Sequence, residues 1–219
     1  MHWVDRGPAP DGLEAMRKEY TAGWIRCYRD GKGTRPHDSH WRGFHEALHR
    51  IFGGLCAYCE ERTKGEVDHF RPVSRVPEQV YQWSNWIFSY PACNRTKWAK
   101  WPVLGYVDPC ADSEEERPEA YFTFDTLNGM IRPRAGLSPD RHARAATMIR
   151  DLALNRYHHM QNRVAAVQRL SQMERISVSG HRLSQEILVT TFLRLSSRQE
   201  PWSSVIRVWL LEQGYELLD

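Results

Sequence analysis

The stretch Gly65-Glu66-Val67-Asp68-His69-Phe70 sets a carboxylate and an imidazole side by side between two apolar residues. Val67 and Phe70 suit a core; Asp68 and His69 do not, unless a reaction needs both together. Cys56-x-x-Cys59 precedes the pair, and Asn85 and then Cys93-Asn94-Arg95-Thr96-Lys97 follow it. Each feature alone has a plain explanation: a chance pair of thiols, a surface or capping pair, a polar turn. Their combination matches the needs of phosphodiester hydrolysis. Water must lose a proton as it attacks phosphorus, a task for a histidine with a pKa near neutrality. Charge building on the leaving oxygen must be offset, a task for one hard divalent cation. Asp68 can hold such an ion while His69 faces the water, and the amide oxygen of Asn94 can complete the protein ligands. Oxygen donors of this kind suit Mg²⁺ or Mn²⁺. Strand neighbours point to opposite sides, so the pair predicts a bent or irregular strand end, with Pro72 just beyond it.

The pattern CAYCE…EVDHFRP…WSNW…CNRTK resembles the HNH (ββα-metal) nuclease signature. The resemblance implies a role for each matching residue. Asp68 takes the place of the metal-binding acid, His69 that of the general base, Asn85 that of the asparagine steadying the histidine's loop, and Asn94 that of the second metal ligand. Arg95 and Lys97 stand where the family carries basic residues facing the phosphate backbone. The family commonly has a second Cys-x-x-Cys holding structural zinc, but position 90 is tyrosine, so Cys56, Cys59 and Cys93 make a set of three. Closed zinc sites take four ligands. Either Cys110 or a histidine fills the gap, or zinc is absent and aromatic packing replaces it. Beyond the motif, FGGLCAYCE, the downstream VDP, YFTFDTLNGMIRP and TMIRDLALNRYHHMQNR together resemble the HNH component of Septu-type and retron-associated anti-phage systems. That resemblance implies DNA as substrate and an ABC-type ATPase as partner.

The elements that must position these residues divide the chain into four expected segments. Residues 1–54 read as helical, with Leu13, Met16, Tyr20, Trp24 and Cys27 on one face of a first helix. Trp41, Phe44, Leu48, Ile51 and Phe52 lie on one face of a second. Residues 55–104, rich in Cys, Trp and Pro, read as the small irregular core, with EVDHF as a short strand and a helix starting near 94. Residues 105–138 read as an acidic connection and a β-hairpin turning at Asn128-Gly129. Residues 139–219 read as helical throughout, with amphipathic segments near 180–196 and 202–217. The fold class is α+β, a ββα-metal core between helical segments. Those segments exceed what so small a core needs for support, which predicts a partner-binding surface on them.

Composition bounds the rest. The chain has 219 residues, a formal net charge of +3 and 41% hydrophobic residues, as in an ordinary globular protein. No apolar run reaches the length of a membrane span, and the first residues lack a signal-peptide pattern, so the expected location is cytoplasmic. Five cysteines with a Cys-x-x-Cys spacing then favour metal over disulfides. Arg71, Arg75, Arg95, Lys97 and Lys100 crowd the proposed site and read as phosphate contacts. Trp83, Trp86, Trp98 and Trp101 read as core, with base stacking as the alternative. His45-Glu46-x-x-His49 matches a zinc-protease pattern but reads as an ordinary amphipathic helix, and His158-His159 reads as a polar helix face. The rival to a nuclease is a zinc-knuckle DNA-binding module that cuts nothing.

Overall fold

The computed structural model describes residues 1–37, 39–178 and 185–217. An N-terminal helix α1, Leu13–Tyr28, is followed by a 3-10 segment, Ser39–Phe44, that runs into α2, His45–Ile51. Strand β1, Glu66–His69, pairs antiparallel with β2, Trp86–Ser89, and helix α3, Pro91–Lys97, follows at once. Proline at its first position, where no backbone N–H is needed, starts α3 three residues before the expected point. A one-turn helix α4, Pro118–Tyr121, leads into the hairpin of β3, Phe122–Phe124, and β4, Ile131–Pro133. Helices α5, Pro139–Asp151, α6, Tyr157–Val178, α7, Gln185–Ser196, and α8, Ser203–Glu212, complete the described chain. Residues 180–184 of the segment read as helical from the sequence lie outside the described residues, as do 218 and 219. Mixed helices with two separate two-stranded sheets bear out the α+β class.

The hairpin turn is specified tightly. Gly129 has φ +73, and a Cβ there would collide with the backbone of Met160, so a residue without a side chain is needed both for the turn and for the approach of α6. Asn155 then brackets the edge of β4, accepting from the Ile131 N–H and donating to its carbonyl at 2.9 and 3.0 Å.

One apolar cluster runs from Leu13 and Trp24 through Tyr58, Trp86 and Phe88 to Leu170 and Leu210. The tryptophans divide. Trp83 and Trp86 are core, as expected, whereas Trp98 is 77% exposed and ends α3 in a backbone conformation, φ +47, that is strained for a bulky residue. His45 and His49 both pack against the Phe88 ring, at 5.5 and 5.3 Å, which accounts for the H-E-x-x-H pattern by packing. His158 is exposed, but His159 is fully buried. The polar-face reading therefore fails for His159, because α6 turns that side of the helix onto the Cys56–Cys59 loop.

Candidate active site and cysteine cluster

Strand pairing is regular through His69, which lies opposite Trp86, and Asp68 lies opposite Ile87. The expected irregular strand end falls one residue later: the Phe70 N–H still donates in register to the Asn85 carbonyl at 2.8 Å, but the Asn85 N–H turns away to the Gln82 carbonyl at 2.9 Å instead of closing the pair. Asp68 and His69 thus point to opposite faces of the hairpin. Both still line one groove of about 930 Å³. Among the described residues the second edge of β1 has no partner strand, and the groove runs along it. Phe70 is buried as expected, while Val67 is half-buried in the groove wall.

The His69 ring is held on three sides. Trp41 meets it edge-on at 4.8 Å, Trp86 at 6.1 Å, and Nε2 lies 2.7 Å from the Val80 carbonyl. A carbonyl only accepts, so Nε2 carries the proton and Nδ1 keeps its lone pair. Trp86 Nε1 donates to the same carbonyl at 2.7 Å, which fixes the acceptor itself. Burial pushes the imidazole down to about 4, below the near-neutral value expected from the sequence, so the ring is neutral at pH 7 with Nδ1 free of the proton.

Asp68 is buried with both oxygens engaged. Tyr58 donates to Oδ2 at 2.6 Å, and the Lys97 ammonium donates to Oδ1 at 2.8 Å and to the His69 carbonyl at 2.7 Å. Burial outweighs these donors and pushes the carboxyl up from its ordinary range. Tyr58 lies within the Cys56–Cys59 turn, so the thiol loop and the acid of β1 meet through one phenol.

Asn85 bridges the two ends of the loop between the strands. Its Oδ1 accepts from the Arg71 N–H at 2.7 Å, and Nδ2 donates to the carbonyls of Arg71 and Gln79 at 3.0 and 3.3 Å. Gln79 adjoins Val80, so Asn85 supports the carbonyl that orients His69. Asn85→Ala leaves the part-buried Arg71 N–H unpaired and the Arg71 and Gln79 carbonyls without their donor, at about 2 kcal/mol. The melting temperature should fall by roughly 6 °C. An unchanged melt would show that the bridge bears no load.

Asn94 lines the groove from α3 and donates through Nδ2 to Glu66 Oε2 at 3.0 Å, which leaves its amide oxygen available as an acceptor. Glu66 is a residue that the sequence reading passed over. It lies two positions before Asp68 on the same strand face, and period-2 alternation was the signal that could have found it.

The basic residues are distributed differently from the expectation. Lys97, expected to face the phosphate backbone, is 1% exposed and pairs with Asp68, because the short α3 aims its last turn back at β1. Arg71, Arg95 and Lys100 are exposed but do not line the groove. Arg71 lies over the Trp101 ring at 5.9 Å, and Lys100 donates to the Asp151 carbonyl at 3.1 Å. Besides Lys97, whose ammonium is engaged by Asp68, the cations on the groove wall are Arg35 and Arg42, from the N-terminal segment, beside Trp24 and Trp41. No local spacing links them to the motif; tertiary packing alone brings them there.

Behind the groove, the Sγ atoms of Cys56, Cys59 and Cys93 lie within 4.8 Å of one another, all buried. Such a cluster can hold a soft or borderline metal ion, and its thiolate donors suit zinc. Cys110, one of the two candidates for a fourth ligand, belongs to no potential metal-binding group among the described residues.

No curated protein matches the chain. The thiols, the acid–imidazole pair, Asn85 and Asn94 all fall within residues 56–100, about a fifth of the chain, and that stretch matches the family model of the HNH endonuclease.

Proposed function

We propose that the chain is a metal-dependent HNH endonuclease that hydrolyses DNA phosphodiester bonds, with β1, β2 and α3 as its ββα-metal core. The observation that carries this reading is His69: a neutral ring, its Nε2 pinned on Val80, in a groove it shares with Asp68 and Asn94. In that groove His69 takes the proton from the attacking water at Nδ1. Asp68, Asn94 and neighbouring Glu66 are oxygen donors, and the ammonium beside Asp68 marks a place where positive charge is favoured. This donor set fits a hard divalent cation, Mg²⁺ or Mn²⁺, which Asp68 and Asn94 would hold. When bound, the ion offsets charge on the phosphoryl group and the departing 3′ oxygen. Arg35 and Arg42 contribute positive charge along the wall for the phosphate backbone, and exposed Trp98 at the rim presents a face on which a base can stack.

Biologically, the chain acts as the nuclease effector of an anti-phage defence system with an ABC-type ATPase partner. The resemblance to Septu-type and retron-associated nucleases supports this assignment. So do the exposed apolar residues Val189 and Leu193, one helical turn apart on α7.

The second reading is a DNA-binding module that cuts nothing. It is favoured by one observation, the full engagement of both Asp68 oxygens by Tyr58 and Lys97.

Supercoiled plasmid separates the two. The purified chain should nick it in Mg²⁺ or Mn²⁺ and stop in EDTA, whereas retention of intact plasmid on the protein would favour the module. Untagged protein from its native host should co-purify with an ABC-type ATPase; its absence would remove the defence assignment.

A further inference from the structure

His159 is completely buried, and neither ring nitrogen has a hydrogen-bond partner. A buried polar ring with both nitrogens unpaired carries a desolvation cost that native interiors rarely leave uncompensated. Glu61 Oε2 is likewise buried without a hydrogen-bond partner, 3.3 Å from His159 Nδ1. Both residues lie against the cysteine cluster: ligand atoms of Cys59, Glu61 and His159 are within 4.8 Å of one another, and Cys59 is also one of the three clustered thiols.

We propose that His159 is the fourth ligand of a structural zinc ion held by Cys56, Cys59 and Cys93, with one imidazole nitrogen on the metal and the other oriented by Glu61. Three observations support it beyond proximity. Position 90, where a fourth thiol would be expected, is tyrosine, whose backbone lies beside the Cys56 thiol. The pairing of His159 with Glu61 is the carboxylate–histidine arrangement that fixes the ring of a metal-bound imidazole. Finally, Zn²⁺ with three thiolates and a neutral imidazole carries a net charge of −1. The buried guanidinium of Arg163, one turn further along α6, lies within electrostatic reach of Cys59 and Cys93 and offsets that charge. With Zn–S and Zn–N bonds of about 2.3 and 2.0 Å, a tetrahedral edge is roughly 3.5 Å, so closing the site requires His159, grouped within 4.8 Å with Cys59 but not with Cys56 or Cys93, to move towards those two thiols.

The consequence is architectural. Instead of closing within residues 56–100, the metal ties the first turn of α6 to the Cys56–Cys59 loop and to α3, and so fastens the C-terminal helices to the candidate active site. The inference uses the HNH reading only to expect zinc, and its test does not measure cleavage.

The test is metal content and Co²⁺ absorption of the full chain. Wild type should hold one zinc per chain and, with Co²⁺, show thiolate charge-transfer and tetrahedral ligand-field bands. Glu61→Gln should weaken affinity about 10–100-fold, and His159→Ala by more than that. His159→Cys should retain zinc and shift the Co²⁺ ligand-field bands to longer wavelength, as a thiolate replaces a nitrogen. If His159→Ala fails to fold, His159→Cys still decides the matter, and Tyr90→Cys in the His159→Ala background should restore binding. Wild type without zinc would overturn the assignment, as would unchanged affinity in His159→Ala or an unshifted spectrum in His159→Cys. Loss of zinc in Cys110→Ser with retention in His159→Ala would also overturn it. A chain that binds zinc through His159 but cuts no DNA leaves this inference standing and removes the nuclease reading.

Discussion

Replacing His69 with alanine is expected to slow plasmid nicking by about 10²–10⁴-fold, the usual contribution of a positioned general base. The expectation rests on the proton inventory of the ring. Nε2 is committed to Val80, so only Nδ1 can take the proton of the attacking water, and among the described residues the one other histidine lining the groove is His45, whose Nε2 lies 2.8 Å from the Lys64 carbonyl. Because the ring is buried between Trp41 and Trp86, alanine also leaves a cavity, and activity could fall through unfolding alone. His69→Gln retains much of the volume and serves as the control. Both variants should lose cleavage, while the glutamine variant melts within a few degrees of wild type and still binds DNA. Cleavage above a tenth of the wild-type rate in a folded variant would remove His69 from the reaction. Loss of activity in His45→Ala with retention in His69→Ala would transfer the chemistry to α2.

The largest effect on stability is expected at Lys97. Its ammonium and the Asp68 carboxylate are 1% and 4% exposed, 2.8 Å apart, so neither can turn to water when the other is removed. Breaking such a pair from one side costs about 3–5 kcal/mol, far more than an exposed ion pair. In a chain of this size that lowers the melting temperature by roughly 10 °C. Lys97→Met, which keeps the length of the side chain, should show this loss. Asp68→Asn combined with Lys97→Met should be less destabilised than the sum of the single variants, because the pair is removed together. A Lys97→Met melt within 2 °C of wild type would show that Asp68 is satisfied by Tyr58 alone.

How much of this could be read from the residues depended on the range of the interactions. The β1 strand, α3 and the hairpin turn at Asn128-Gly129 were legible because proline, glycine and alternation act locally. Strand β2 was not: Trp86-Ile87-Phe88-Ser89 is buried on both faces and shows no alternation to betray it. The spacing brought Asp68, His69, Asn85 and Asn94 to attention as a set, and the structure gathers them around the hairpin and its loop. Lys97 was misread because a basic residue after a metal-site asparagine looks like a surface cation, and only the tight turn at Trp98 reveals that it points inward. Arg35, Arg42 and His159 lie far from the motif in the chain. Their approach depends on how α6 and the segment between α1 and α2 dock, which no short pattern encodes.

The hydroxyl of Tyr58 joins two chemistries that are otherwise separate. It projects from the loop that carries Cys56 and Cys59, and it donates to the Asp68 carboxylate proposed as a metal ligand in the groove. Cys56 and Cys59 are both 1% exposed, so a peroxide or alkylating agent reaches them only when the loop opens, and modification there would then do more than loosen a scaffold. It withdraws a proton donor from the carboxylate on the far side of the strand, so damage at the back of the molecule is felt at the front without any reagent entering the groove.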